Sequence, residues 1–211
     1  MSQAPGDQSI QDIVTLLDWK RRVFEFYREV RSSPDPEWAW RRWREARHEL
    51  FATHPQSPIP SETRSGFKGL EYYDYDPAFR MLADVVDAER DDYDIPTSGD
   101  EPMRFTRRGI ATFHLHERPM QLELYWLNAY GGGLFVPFRD GTSGSTTYGA
   151  GRYLLDTVKG ADLGLLDDKV VLDFNFAYNP SCAYDPRWVC PLATPANRLE
   201  VTIEAGERYT E

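Results

Sequence analysis

No hydrophobic run in the 211-residue sequence approaches the ~20 residues that a membrane-spanning helix needs. The opening MSQAPGDQSIQDIV has neither the basic nor the apolar region of a secretory signal, so the chain reads as cytoplasmic. Cysteine is scarce: Cys182 and Cys190 alone are too few to scaffold a fold of this size with disulfides. In a reducing compartment both are expected as free thiols. Positive charge is also in deficit, with 24 Lys and Arg against 34 Asp and Glu and a net charge of −10. That balance opposes phosphate backbones and anionic lipid, so neither nucleic acid nor membrane is an expected partner. Internal repeats and low-complexity linkers are absent as well.

What is present is an aromatic-rich folded chain, 41% hydrophobic and 14% aromatic, long enough for a full core. Residues 1–8 read as a disordered start. Ser9 and Asp12 then form a capping-box pattern ahead of Ile10, Ile13, Leu17, Phe24 and Tyr27 at helical spacing, which predicts a helix over Ile10–Arg31. After SSPDP, Asp35 and Pro36 suit the cap and first position of a second helix, ending near the prolines of FATHPQSPIP. In WAWRRWREARHEL, arginines among tryptophans raise the question of nucleic-acid stacking. Trp40, Trp43, Leu50, Ala39 and Ala46 instead make an apolar stripe, and interspersed glutamates dilute the charge, which reads as an amphipathic helix with a solvated face.

Beyond Gly66 the hydrophobic period switches from helical to alternating. FKGLEYYDY, PMRFT, GIATFHLH, MQLELYWLN, LFVPF, KVVLDFNFAY and RLEVTIEAG are short, β-branched or aromatic, and bounded by turn residues. HERP and AYGGG suit hairpin connections. The expected fold is α+β and β-rich: an antiparallel β-barrel or closed sandwich over residues 63–211, with residues 9–62 as two helices packed on it.

Single motifs for chemistry are weak. GTSGS carries Ser145 where a nucleophile elbow needs glycine. His114 and His116 lie two apart on a predicted strand and, with Cys182 and Cys190, are the only candidate metal ligands, at a spacing unlike a zinc knuckle. They read better as partly exposed strand histidines. The stronger signal is a constellation. FRDGTSGSTTYGAGRYL supplies Asp140, Thr147, Tyr148 and Arg152, and DFNFAYNP supplies Asp173, Asn175, Tyr178 and Asn179. On a strand from Val171, Asp173 and Asn175 would share one face, opposite Leu172, Phe174 and Phe176. Arg152 is expected to pair with Asp173 or to hold an anion in its planar fork.

These stretches, with CPLATPANRLEVTIEAGE and the upstream HPQSPIP and GFKGLEYYDYDPAFR, resemble a bacterial and archaeal family known as domain of unknown function 1684, over roughly Trp38 to Glu207. The matching blocks are Thr147–Leu154, Asp173–Cys182 and Cys190–Leu199. The family pattern DFNRAYNP has arginine where this chain has Phe176, and its PLPP stands where this chain reads PLATP. The resemblance implies a location for the site and no activity. The leading expectation is a pocket for a small polar or anionic molecule, lined by Thr147, Tyr148, Arg152, Asp173, Asn175, Tyr178 and Asn179. A hydrolase or lyase using Asp140 or Asp173 as general base stays open beside it, as does a structural or interaction protein with a buried polar clasp.

Overall fold

A computed structural model of the chain describes residues 9–209. The expected disordered start, 1–8, lies outside them. Helix α1 (Ile10–Ser32) opens with the anticipated capping box, the Ser9 hydroxyl accepting from the Asp12 amide at 3.1 Å and the Asp12 carboxylate answering the Ser9 amide. Helix α2 (Pro36–Thr53) is capped by Asp35, which accepts from the Trp38 amide at 3.0 Å. Their apolar faces meet through Trp19 against Phe51 and Tyr27 against Trp43. Among the described residues no helix is long and apolar enough to cross a membrane.

Seven strands follow: β1 (Arg80–Ile95), β2 (Met103–Leu115), β3 (Arg118–Leu127), β4 (Leu134–Phe138), β5 (Arg152–Asp156), β6 (Leu165–Leu166) and β7 (Lys169–Asp173). They form one antiparallel sheet in the order β5-β4-β3-β2-β1-β7-β6. The β2–β3 hairpin turns at His116 and Glu117, both left-handed, so His116 sits in a turn and not on the strand that the sequence suggested.

The α+β, β-rich class therefore holds, but the expected closed barrel or sandwich does not. The sheet curls into a half-barrel whose edge strands, β5 and β6, do not pair. Closure fails because β6 is two residues long and the chain leaves the sheet after Asp173. The free edge of β5 is covered instead by two isolated residues: Tyr178 exchanges two backbone hydrogen bonds with Tyr153 at 2.9 and 3.1 Å, and Ala161 two with Asp156 at 2.8 and 2.9 Å. Two predicted strands are likewise irregular: FKGLEYYDY keeps one bridge, Tyr72 to Glu207, and RLEVTIEAG one, Arg198 to Arg139.

A bulge lets the sheet feed two cores. The β2–β3 register slips between Arg107 and Gly109, which moves the odd-numbered residues of β2 from one face to the other. Phe113, Leu122, Leu124, Phe138, Leu172 and Phe174 gather on one side with Leu199 and Ile203. Phe105, Tyr125, Phe135 and Tyr153 gather on the other with Trp40, Trp43 and Phe176. Leu122, Tyr125, Phe138 and Phe174 are fully buried, each stabilising the fold by about 1.5–3 kcal/mol on an area basis. Trp126, which alternation puts on the Leu122 and Leu124 face, lies past the end of that core and is exposed.

Candidate functional site

The polar constellation is real in space but divides into separate networks. In the first, Arg152 is 1% exposed and pairs with Asp140, not Asp173, at 3.3 Å. Its guanidinium also donates to the carbonyls of Ile203, Ala205 and Glu207 and lies 5.1 Å from the centre of the Phe138 ring. Asp140 completes the knot by accepting from the Thr142 amide and hydroxyl at 3.2 and 2.7 Å and from the Ile203 amide at 2.9 Å. Thr147 joins through the Thr142 hydroxyl, 2.8 Å away. Gly151 makes the approach possible: at φ +100° a Cβ there would lie 2.6 Å from the Phe138 carbonyl oxygen.

The second network corrects the expected strand. The chain after β7 turns into a single 3-10 turn, Phe174–Phe176, because the Asp173 carboxylate accepts from the Asn175 amide at 3.0 Å and side-chain amide at 2.8 Å. Asp173 and Asn175 do come together, through this local turn and not through strand alternation. Asn175 then holds Asp76 by both backbone groups, and its carbonyl accepts from the Trp40 indole at 2.8 Å. Burial raises the Asp173 pKa to about 6, against its hydrogen bonds from Asn175 and the Arg80 guanidinium 3.7 Å away.

The third network was not legible in the expected site list. Arg47 of α2, 9% exposed, donates to Glu207 at 2.9 Å and to the Tyr72 hydroxyl at 3.0 Å. Its guanidinium lies about 5 Å from the ring centres of Trp43, Phe51 and Tyr178. Glu207 also accepts from the Asn179 amide at 3.0 Å and the Tyr184 hydroxyl. Burial pushes the Glu207 pKa up while Arg47 pulls it back. The one sequence signal was spacing: Arg47 falls on the stripe of Trp40, Trp43 and Leu50, so the helix could not leave it in solvent as the amphipathic reading had it. Arg41 and Arg42 are exposed as that reading requires.

This third network borders a cavity of about 240 Å³ between the helices and the segments that follow β5 and β7. Leu16, Trp19 and Val23 of α1 and Phe51 of α2 make one wall; Ala161, Trp188 and Val189 make the other. Lys20, Arg47 and Lys159 reach it, and no carboxylate is among its lining residues. Tyr178, Asn179 and Cys190 line it too, but Thr147, Tyr148, Arg152, Asp173 and Asn175 do not. Both general-base candidates thus sit away from it. Three buried polar atoms of its lining residues find no partner among the described residues: the Tyr178 hydroxyl, Asn179 Oδ1 and Trp188 Nε1. Burial holds the Tyr178 phenol well above its usual pKa, so its proton is available to donate. A second hollow of about 370 Å³, beside exposed His114, is lined by none of the unpartnered buried atoms.

His114, His116, Cys182 and Cys190 do not assemble a metal site; among the described residues no group of three or more His, Cys, Asp or Glu could hold an ion. The two cysteines are free and buried, and the Tyr148 hydroxyl lies 3.7 Å from the Cys182 sulfur. The loop that follows Asn179 does fold back beside the glycine-rich motif, with the Ala193 amide reaching the Ala150 carbonyl and the Tyr153 hydroxyl donating to the Pro191 carbonyl at 2.6 Å.

Among solved structures, the chain is similar to an uncharacterized protein of Haloarcula marismortui determined by solution NMR. The two are 39% identical with a TM-score of 0.58, over 80% of this chain and 91% of that one. No functionally curated protein matches the sequence. A family profile described as "Protein of unknown function (DUF1684)" matches residues 65–208, which include Glu207, Asn179 and Tyr184 but not Arg47, and the chain belongs to that family.

Proposed function

We propose that this protein binds a small molecule, with an apolar body and a polar or anionic head, in the cavity between the helices and the segments that follow β5 and β7, and that it does so in the cytoplasm. One observation carries the reading. The Tyr178 hydroxyl and Asn179 Oδ1 belong to cavity-lining residues 7% and 3% exposed, and neither atom has a partner among the described residues. Both atoms are closed off behind the cavity wall, and an unsatisfied buried polar atom costs about 1–3 kcal/mol, so an occupant toward which these side chains turn would gain by supplying both an acceptor and a donor. Lys20, with no carboxylate among the lining residues, favours a negative head, Lys159 being already paired with Asp156 at 3.4 Å, and the Trp19, Phe51 and Val189 walls favour an apolar body.

The general-base reading lacks comparable support. Asp140 spends both oxygens on five donors, and Asp173, though its pKa is high, is sealed from solvent and away from the cavity. The test uses 8-anilinonaphthalene-1-sulfonate, an amphipathic anion, as probe. Saturable binding at a single site is expected, read by its fluorescence and by quenching of Trp19 and Trp188, and weakened by Lys20→Glu. A folded protein that gives only weak, non-saturating fluorescence would remove the proposal.

A further inference from the structure

The size of the cavity and the charges around it limit its occupant more tightly than an apolar body and an anionic head. A hydrocarbon-lined protein cavity of about 150 Å³ takes up one benzene ring. The cavity between α1, α2, Ala161 and residues 188–190 measures about 240 Å³. On the same scale it holds a body of roughly nine or ten carbons. Its exposed lining residues are Lys20, Lys159 and Val189, which mark the mouth. Carbons beyond that number must pass them into water.

Three cations reach the cavity, and two are already paired. Arg47 donates to the Glu207 carboxylate at 2.9 Å, and Lys159 lies 3.4 Å from Asp156. Lys20 makes no ion pair among the described residues, since Asp18, two residues before it, is taken by Arg22 and His54. Lys20 stands one turn from Leu16 and from Val23 on α1, so its stem follows the cavity wall while its ammonium stays in water. One unpaired ammonium matches a head with one negative charge. A phosphate monoester carries about two and calls for an arginine fork, and the fork of Arg47 is occupied. A second anionic group on the body would lie against Trp19, Phe51 and Val189, stripped of water and without a cation to meet it.

We propose, on the basis of the ligand reading above, that the cavity takes medium-chain monocarboxylates. The carboxylate meets the Lys20 ammonium, and a hydrocarbon body of up to about ten carbons lies along the apolar walls. Each methylene withdrawn from water inside this limit tightens binding about fourfold, and each one beyond it adds nothing.

The experiment titrates the full-length protein with 8-anilinonaphthalene-1-sulfonate and then displaces it with straight-chain carboxylates from hexanoate to tetradecanoate, below their micelle concentrations. Affinity is expected to rise about fourfold per methylene as far as decanoate and to stay level from there to tetradecanoate. Decanedioate, the same body with a second carboxylate, is expected to bind at least about tenfold more weakly than decanoate. Lys20→Met keeps the stem and drops the charge, and is expected to weaken decanoate about threefold, as for an exposed ion pair. If the anilinonaphthalene probe itself fails to bind saturably, the ligand reading falls and the length and charge limits fall with it. If the probe binds and no carboxylate displaces it, the ligand reading stands and the monocarboxylate proposal is wrong. Affinity that keeps climbing past dodecanoate, decanedioate binding as tightly as decanoate, or decanoate binding Lys20→Met as tightly as wild type would each overturn the proposal as well.

Discussion

Arg47 and Arg152 are both buried arginines paired with a carboxylate, and both grip the same C-terminal segment. Arg152 holds its backbone, through the carbonyls of Ile203, Ala205 and Glu207; Arg47 holds its side chain, through the Glu207 carboxylate. The difference lies in what surrounds each. Arg152 comes from a sheet strand, is closed off by Asp140 and Phe138, and borders none of the cavity. Arg47 comes from a helix, stacks among three rings and lines the cavity, where Tyr178 and Asn179 keep unpartnered atoms. Arg152 Nε is itself without a partner among the described residues, but no open space lies beside it. A buried charge walled in by protein specifies a fold, and one that borders open space with spare polar atoms beside it can also specify a ligand. The glycine-rich motif is thus the clasp, and the cavity proposed for a ligand lies across the C-terminal segment from it.

The strongest way to break this comparison is to cut the clasp. Arg152→Gln leaves Asp140 buried without its counter-charge and strips three carbonyls of a donor. Urea unfolding is expected to show a loss of about 3–5 kcal/mol, the usual cost of breaking a buried pair from one side. A loss below about 1 kcal/mol would mean that Arg152 is not structural and that the two arginines should exchange roles.

A second, somewhat smaller effect follows from Asp173, whose carboxyl rises from an unfolded 3.8 to about 6 on burial. Between those values the folded chain holds a proton that the unfolded chain has released, so stability falls as pH rises through that window and is flat above it. Asp173→Asn removes the titration. Relative to wild type, the variant is expected to gain about 2.4 kcal/mol between pH 4 and pH 7, measured by urea unfolding at each pH. Parallel curves for the two proteins would show that Arg80 and Asn175 compensate the buried charge fully.

How far these roles could be read from the sequence depends on the range of the interaction. Ser9 with Asp12 and Asp35 with Pro36 act within one turn, and both helices start where those residues predict. The long strands follow from alternation, and Asp140, Thr147 and Arg152 cluster as their motif implies. Closure of the sheet was not legible, because it depends on whether β6 is long enough to meet β5, a comparison between segments rather than a property of either. The Asp173–Asn175 turn was misread as strand because alternation and an Asx turn both bring those two side chains together. Arg47 and Glu207 lie 160 residues apart, and no local pattern joins them. The cavity depends further on α1, which precedes the span matched by the family profile.

The finest probe of the comparison is Tyr178→Phe, which deletes one oxygen and leaves the ring beneath Arg47 and against Tyr153. At a fully satisfied site such a change leaves a former partner stranded and destabilises; at an unpartnered hydroxyl it removes an atom whose desolvation nothing repays. Stability is therefore expected to stay level or to rise by about 1 kcal/mol. The covering of β5 should survive, since it uses the Tyr178 backbone. Binding of the anilinonaphthalene probe is expected to weaken severalfold in the same variant, because the donor that would meet its sulfonate is gone. A stability loss above about 2 kcal/mol would show that the hydroxyl already has a partner within the protein. Unchanged stability with unchanged probe affinity would move the polar contact to the Trp188 indole, leaving the arginine comparison intact but relocating the ligand's head within the cavity.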